Sequence, residues 1–428
     1  MVSTLKHQSL RTTLIGVETG EVTQFRGIPY GQIPQRFAAA ERIYDYPGEL
    51  NCTAFGPRCP QVPVDVGHLL RVPPHHEFPH ESEDEFRCTN LDVIVPNSDT
   101  LNYPEKLPVI VWIHGGSQAV TFASAASGIC DMTTIVTDSI RIGTPIIAVS
   151  VQYRLNVFAL GNKNGPPNLA LRDQALALEW VQDHITDFGG DPNKVTLAGE
   201  SAGAVYCHAH IVTRAPATQF ILSSGSLFLS PPQPPQAVSA LRDKVWKQFQ
   251  VIDATMDLET APADKIVEAV KQSGLQSFFL EWEDRFDGWQ TSTGEAGALL
   301  LSDVQNEAAI WQAGILETTI DDIVSAFDAA GEHSQELKQL YHIYPERPSS
   351  WKALREAWIK FVNSNEPWPN ASSSSYGFGP HGLCKGLEDW EVQSRRRETE
   401  TNKLRNMDPT LLGTAFFNLA AGKVSLLN

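Results

Sequence analysis

The sequence predicts an α/β fold with a central, mostly parallel sheet and helices on both faces. Apolar runs rich in β-branched residues alternate with helical patterns through the first three quarters of the chain. Such alternation is typical of parallel strands joined by helices. The predicted strands are Val109–Ile113, Pro145–Val151, Val195–Ala198, Phe220–Leu222 and Ala298–Leu301.

The clearest helix joins the second and third of these strands. Between Asn168 and Phe188, small and apolar side chains recur at helical spacing. The glycines of Phe188-Gly-Gly-Asp-Pro192 allow a left-handed turn that ends the helix before a proline. Beyond the last strand, further helices are predicted at Glu307–Leu316, Ile320–Ala330, Ser334–Leu340 and Trp351–Phe361.

The last part of the chain is less regular. Residues 363–386 are rich in Pro, Gly and Ser and are predicted to form a loop. The apolar stretch Leu411–Leu427, within a tail at residues 400–428, is interrupted by glycines and polar residues, so we predict a fraying helix rather than a membrane span. We expect residues 1–428 to form one domain.

Composition excludes several classes of protein. The chain has 428 residues, of which 42% are hydrophobic and 19% charged, as in a soluble globular protein. Its 33 basic and 50 acidic residues give a net charge of −17, which disfavours nucleic acid and anionic membranes as partners. The first residues show no secretory signal, so a cytoplasmic protein is expected.

Neither a metal nor a cofactor is expected. His76 and His80 lie in a histidine-rich segment, but its prolines prevent the helix that would align the two side chains on one metal ion. The six cysteines show no CxxC spacing.

The most informative segment is the strand that runs into Gly199-Glu-Ser-Ala-Gly203 and then into a helix. Small residues two positions before and after Ser201 let the chain turn sharply and leave the hydroxyl exposed. We therefore predict Ser201 as a nucleophile. The alternative is an ordinary tight turn.

A second informative segment, His114-Gly-Gly-Ser117, directly follows a predicted strand. The main-chain N–H groups of Gly115 and Gly116, together with that of Ala202, are candidates to bind the oxyanion of a tetrahedral intermediate. A simple turn at the end of the strand is the alternative. His114 precedes Ser201 in the chain, whereas a nucleophile turn of this kind is followed first by the catalytic acid and then by the catalytic histidine. We therefore predict a structural role for His114.

These segments belong to an ordered series of motifs. The series comprises Phe25-Arg-Gly-Ile-Pro-Tyr30, Phe55-Gly-Pro-Arg-Cys-Pro-Gln61, Asn90-Leu-Asp-Val93, Gln152-Tyr-Arg-Leu155, Asn168-Leu-Ala-Leu-Arg-Asp-Gln174 and Leu222-Ser-Ser-Gly-Ser226. The chain thereby resembles the type B carboxylesterases of the α/β-hydrolase superfamily, which include the cholinesterases and many fungal esterases and lipases. The resemblance implies an α/β-hydrolase fold, a serine esterase mechanism and a small-molecule ester as substrate.

Two further assignments follow from the resemblance alone. It makes Glu307 the acid that orients the catalytic histidine, although a carboxylate in the first turn of a helix is also favoured by the helix dipole. It also implies a disulfide between Cys59 and Cys88, which an intracellular compartment would keep reduced.

The histidine segment of the family has no counterpart here. The motif that should follow it is present as Trp358-Ile-Lys-Phe361 and Pro367-Trp-Pro369, but residues 308–357 contain no His-Gly pair and no strand pattern. The apparent join lies near residues 348–352, and loss of the last strand would leave a sheet edge uncovered.

None of the other histidines is a convincing replacement for the missing base. We expect non-catalytic roles for four of them. His208 and His210 should point away from Ser201, and His333 and His342 should lie at the surface. His381 has a Gly neighbour but lies beyond the terminal motif.

Three functional hypotheses remain open at this stage. The chain is a carboxylic ester hydrolase impaired by its absent histidine, a catalytically inactive binding or scaffold protein of the same fold, or the product of a truncated gene model of an active esterase. Substrates with a quaternary ammonium group are not expected, because the segment from Cys59 to Cys88 contains no tryptophan.

Overall fold

A computed structural model describes residues 1–65, 67, 77–97, 106–122, 124–161, 165–304, 307, 319–328, 334–335 and 338, and the backbone of 375–378 and 384–387. The chain divides into two units, the first running to Ser302 and the second beginning at Asp303. That residues 1–428 form one domain stays a prediction.

The first unit is built around a mixed sheet. Its strands are β1 (Val2–His7), β2 (Thr12–Thr19), β3 (Val22–Pro29), β4 (Gly31–Gln32), β5 (Glu41–Arg42), β6 (Glu49–Asn51), β7 (Asn90–Pro96), β8 (Leu107–Ile113), β9 (Ile147–Val151), β10 (Gly190–Glu200), β11 (Gln219–Ser223) and β12 (Ala298–Ser302). The order in the main sheet is β1-β2-β3-β7-β9-β8-β10-β11-β12, with β6 beside β2 and β4 paired separately with β5.

The two halves of the sheet differ in direction. Strands β9, β8, β10, β11 and β12 are parallel neighbours and contain all five strands predicted from the sequence. Strands β1, β2, β3 and β7 pair antiparallel. The sequence analysis did not predict these four strands. In β1 and β2 the burial alternates from residue to residue, so neither strand shows a continuous apolar run like that of β9, which is buried at every residue.

Helices cover both faces of the parallel half. They are α1 (Thr133–Arg141), α2 (Asn156–Ala159), α3 (Leu169–His184), α4 (Ala202–Val212), α5 (Pro235–Ile252) and α6 (Ala263–Ser273). Neighbouring residues of β8 enter opposite cores, since Val111 packs in the core that contains α3 and α4, and Ile110 in the core that contains α1. The predicted helix from Asn168 to Phe188 is α3 followed by a short 3-10 turn, and Gly189 ends it in the left-handed conformation, at φ 87°.

The second unit is described only in part. Helix α7 (Ile320–Asp328) confirms the start of one predicted helix. The other helices predicted between Glu307 and Phe361 lie wholly or mostly outside the described residues, as does the tail at 400–428. Strands β13 (Ser375–Phe378) and β14 (Cys384–Leu387) pair antiparallel. The prediction of loop throughout residues 363–386 is therefore wrong at these strands, because backbone pairing overrides a composition rich in small residues.

The edge of the sheet at β12 is open to solvent. All five of its residues are exposed, and Leu299, Leu300 and Leu301 keep 51%, 58% and 57% of their surface accessible. Among the described residues, no strand pairs with the outer side of β12. Within the residues that the structure describes, no helix is both long and apolar enough to span a membrane.

Candidate active site

Ser201 occupies a sharp turn between the end of β10 and the start of α4. Its φ of 53° and ψ of −121° are unusual for a residue with a side chain, and such strain persists only where the surroundings enforce it. The main-chain N–H of Ser201 donates to the carbonyl oxygen of Ser223 at the end of β11, at 2.9 Å. The hydroxyl caps no helix N–H group, and Ser201 is partly exposed.

The two glycines that flank Ser201 are required by close backbone contacts. A Cβ built on Gly199 would lie 2.5 Å from the carbonyl carbon of Gly203. A Cβ on Gly203 would lie 2.1 Å from the carbonyl oxygen of Ile113. Any larger residue would force β10, α4 and β8 apart, which is the steric reason for the Gly-x-Ser-x-Gly pattern.

Gly115 and Gly116 lie beside this turn, at the end of β8. A Cβ on Gly115 would lie 3.2 Å from the Cβ of Ser201, and Gly116 has a φ of 122° that favours glycine. No described residue accepts a hydrogen bond from either glycine N–H. Ala202 is the first residue of α4, so its N–H has no acceptor within the helix. Three N–H donors are therefore available next to the Ser201 turn.

The loop that follows Gly116 is held by hydrogen bonds from other segments of the chain. Ser117 and Gln118 also have positive φ, at 55° and 58°. The carbonyl oxygen of Ser117 accepts from the N–H of Phe278 at 2.9 Å, and that of Gln118 accepts from the N–H of Asn156 at 2.8 Å. These bonds link the loop to two distant segments of the chain.

His114 is enclosed behind the loop. Its ring stacks on Tyr153, with centroids 4.3 Å apart, and the Tyr153 hydroxyl donates to the His114 carbonyl oxygen at 2.6 Å. Its Nδ1 lies 2.9 Å from the carbonyl oxygen of Gly115. Burial lowers the pKa of His114 to about 4, so the ring is neutral at pH 7. This geometry matches the structural role expected from its position in the sequence.

The two histidines of α4, His208 and His210, make their contacts with residues other than Ser201. His208 Nδ1 accepts from the N–H of Leu227 at 3.2 Å, and the ring packs against Phe228 and Trp289. His210 is buried, with Nε2 3.0 Å from Oε1 of Gln174. Among the described residues no histidine hydrogen-bonds to Ser201. His333, His342 and His381 lie outside the described residues, as do residues 348–352 at the apparent join.

Glu307 is described within the second unit. Its Oε1 accepts the N–H of Val304 at 2.7 Å, which closes a local turn. Such a bond suits the alternative role of a helix-start carboxylate. The acid role stays a prediction.

The cysteines implied to pair, Cys59 and Cys88, are both buried with free thiols. A hydrogen bond with Cys59, together with burial, raises the pKa of the Cys88 thiol, which shows that the two sulfurs are neighbours. Their disulfide stays a prediction. His76 lies outside the described residues, within which no cluster of three side chains is arranged to hold a metal ion.

Sequence reasoning missed three residues that hold the loop: Tyr206 and Gln118, which bond through their side chains, and Phe278, which donates its main-chain N–H. Tyr153 was within reach, since it belongs to the motif Gln152-Tyr-Arg-Leu155. The other three stand in no recognisable pattern, and their contacts join residues far apart in the chain.

Comparison with known proteins identifies the family. The model of the carboxylesterase family matches residues 10–326, which is most of the chain. This chain belongs to the carboxylesterase family. Among its relatives, Lipase 1 of Yarrowia lipolytica is 34% identical over 316 residues, covering 69% of this chain and 60% of that lipase. Lipase 3 of the same yeast is 31% identical over 360 residues, covering 79% of this chain and 70% of that lipase.

Solved structures agree on the fold of this carboxylesterase-family chain. A thermophilic PNB esterase aligns with a TM-score of 0.63 at 20% identity, covering 99% of this chain and 92% of that one. This likeness confirms the predicted α/β-hydrolase fold. The chain spans 60% of the length of Lipase 1.

Two other comparisons bear on location and activity. The prediction of a cytoplasmic location is wrong, because the relatives include proteins named as secreted. They are Secreted lipase 1 of Botryotinia fuckeliana, 36% identical over 212 residues, and Secreted triacylglycerol lipase LIP1 of Gibberella zeae, 33% identical over 212 residues. The error came from reading location off the first residues alone. A further relative, 34% identical over 226 residues, is named inactive carboxylesterase-like protein VdtD, from Byssochlamys spectabilis.

Proposed function

We propose that this carboxylesterase-family chain hydrolyses carboxylic esters, with Ser201 as the nucleophile and an acyl-enzyme as the intermediate. The observation that carries the proposal is the strained turn at Ser201, which has Gly115 packed against it and three N–H donors without described acceptors beside it. Strain of this kind is retained where function needs it.

In the proposed reaction, the Ser201 hydroxyl oxygen attacks the acyl carbon of a small-molecule ester. The N–H groups of Gly115, Gly116 and Ala202 bind the oxygen of the tetrahedral intermediate as it becomes negative. An imidazole accepts the serine proton and passes it to the leaving alcohol. The family resemblance assigns the role of orienting that imidazole to Glu307. Water then hydrolyses the acyl-enzyme. No metal or cofactor takes part.

The rate is expected to depend on where that imidazole comes from. Serine is a weak nucleophile without an adjacent base. Enzymes that lose one member of the triad keep a rate about 10³ to 10⁴ above the reaction in water, supplied by the oxyanion site and binding. Among the described residues no histidine hydrogen-bonds to Ser201, so we expect slow turnover by this chain.

A fluorophosphonate probe tests the nucleophile directly. We expect covalent labelling of the folded chain, located at Ser201 by peptide mass spectrometry and abolished in Ser201→Ala. Ser224 supplies a matched control, because it too has a positive φ, of 53°, at the end of a neighbouring strand. Ser224→Ala should still be labelled. A folded wild-type chain that stays unlabelled would overturn the proposal.

A second candidate function is that of a non-catalytic binding or scaffold protein with the same fold. It is favoured by the lack of any hydrogen bond between Ser201 and a histidine among the described residues, and by the relative named as inactive. Turnover of a short-chain nitrophenyl ester that disappears in Ser201→Ala would rule it out. Retained binding of an ester without turnover would support it.

The remaining alternative, a truncated gene model of an active esterase, concerns the transcript and not the site. Sequencing the transcript across residues 344–358 distinguishes it from both candidates. A longer reading frame carrying a His-Gly segment there would restore the expected base.

A further inference from the structure

Tyr206 supports the loop around the glycine pair at both of its ends, directly at Gln118 and through Tyr153 at His114. It lies buried in the second turn of α4, and its hydroxyl donates to Oε1 of Gln118 at 3.1 Å. On the other side its ring packs edge-on against Tyr153, with centroids 5.5 Å apart. Tyr153 in turn stacks on His114 and donates to its carbonyl oxygen. Gly115 and Gly116 lie between the two points of attachment.

The loop needs such support because its conformation is strained. Gly116, Ser117 and Gln118 have positive φ in succession, at 122°, 55° and 58°. Two of these residues carry side chains, for which this region is unfavourable. Without external bonds the segment would relax, and the N–H groups of the glycines would turn with it.

We infer that Tyr206 is a positioning residue that holds the N–H groups of Gly115 and Gly116 in register with Ser201. This inference rests on the proposed function. Helix α4 begins directly after Ser201, so Tyr206 shares a rigid element with the nucleophile. Its bond to Gln118 therefore links the loop that carries the N–H donors to the helix that begins directly after the nucleophile. Donors of this kind act through alignment, so small displacements lower the rate.

The chemistry of the pair suits a permanent link. Burial raises the pKa of the Tyr206 phenol above its ordinary value, so the hydroxyl remains a donor at neutral pH. Gln118 is itself buried, and loss of its donor would leave a buried amide oxygen without that partner.

The test measures how fast the fluorophosphonate labels Ser201 in Tyr206→Phe, Gln118→Met and the double variant. In Tyr206→Phe we expect the maximal labelling rate to fall about tenfold, with the half-saturating probe concentration changed less than about twofold, because loosened donors affect the transition state and not binding. Gln118→Met should behave alike, and the double variant no worse than either, because all three lose one bond.

Gln174→Met is the matched control. It removes the bond from Gln174 to His210. His210 is also buried and on the same helix, but it lies one turn farther from Ser201 and bonds to α3 and not to the loop. We expect this variant to lose stability without a change in labelling rate. A merely structural role for Tyr206 would make the two variants alike.

Each outcome decides the matter. Wild-type labelling of Tyr206→Phe, or of Gln118→Met should the first variant not fold, would overturn the inference while leaving the proposed function intact. Single effects that multiply in the double variant would overturn the shared bond. A wild-type chain that is not labelled at all would overturn the proposed function, and the inference with it.

Discussion

Gly203 lies against the carbonyl oxygen of Ile113, so close that a Cβ on Gly203 would be 2.1 Å from that oxygen. Ile113 ends β8, which leads into the glycine pair, and Gly203 is in the first turn of α4. The contact therefore sets the spacing between the helix that begins after Ser201 and the strand that leads to Gly115 and Gly116.

Replacement of Gly203 by alanine should disturb both stability and the site. The added methyl group meets backbone and not a movable side chain, so α4 must shift away from β8. We expect Gly203→Ala to lower the free energy of unfolding by about 1 to 3 kcal/mol and to slow labelling of Ser201. Urea denaturation measures the first effect. Gly48→Ala, at a glycine with open space around it, should stay within about 0.5 kcal/mol of wild type.

Arg154 and Asp173 form a buried ion pair, and breaking it should be costly. Both carboxylate oxygens accept from the guanidinium, at 2.6 and 2.8 Å, and neither side chain is exposed by more than 2%. Arg154→Met leaves the Asp173 charge buried alone, so we expect a loss of about 3 to 5 kcal/mol in the free energy of unfolding. Arg42→Met, which breaks exposed pairs with Glu179 and Asp183, should lose less than about 1 kcal/mol. Equal losses in urea denaturation would contradict this account.

Buried His210 should make the chain sensitive to acid. Burial lowers its pKa from 6.5 to about 3, so between these values the unfolded chain binds a proton that the folded chain does not. The free energy of unfolding must then fall as pH falls through this window, by up to about 1.4 kcal/mol per pH unit from this group.

The sensitivity is checked by urea midpoints at pH 7, 6 and 5. We expect His210→Gln to show a shallower decline than wild type, because it removes one of the groups that resist protonation when buried. Exposed His80 provides the control, and His80→Gln should keep the wild-type slope. If the decline of the urea midpoint with falling pH were the same in His210→Gln as in wild type, buried His210 would not be a source of the acid sensitivity.

The exposed leucines of β12 should promote self-association. An edge strand with free backbone groups and uncharged side chains invites pairing with another chain, and a lysine on the edge opposes it. We expect Leu300→Lys to raise the temperature at which light scattering detects aggregates. Its unfolding midpoint should move little, because Leu300 is 58% exposed. Increased aggregation or a marked loss of stability would show that Leu300 is covered in solution.

Sequence patterns predicted the elements whose conformation is local. The five strands of the parallel half were predicted because each is a continuous apolar run. In β9 this run matches burial at every residue, whereas β12 has the same pattern and is exposed. The helix end at Gly189 and the turn at Ser201 were predicted because glycines mark both. Glycine adopts the left-handed conformation at the helix end and allows the close backbone contacts at the turn. The family motifs extended this to the α/β-hydrolase fold, but the first residues misled on cellular location.

What the sequence by itself determined is thus the parallel framework and the Gly-x-Ser-x-Gly turn. The tertiary structure alone decided how the antiparallel strands extend the sheet, that Arg154 meets Asp173, and that Tyr206 reaches Gln118. The reason is physical: φ, ψ and periodic burial are properties of neighbouring residues and leave a pattern in the sequence. A hydrogen bond between residues 88 positions apart depends on how whole elements pack, and a single sequence carries no periodic trace of it.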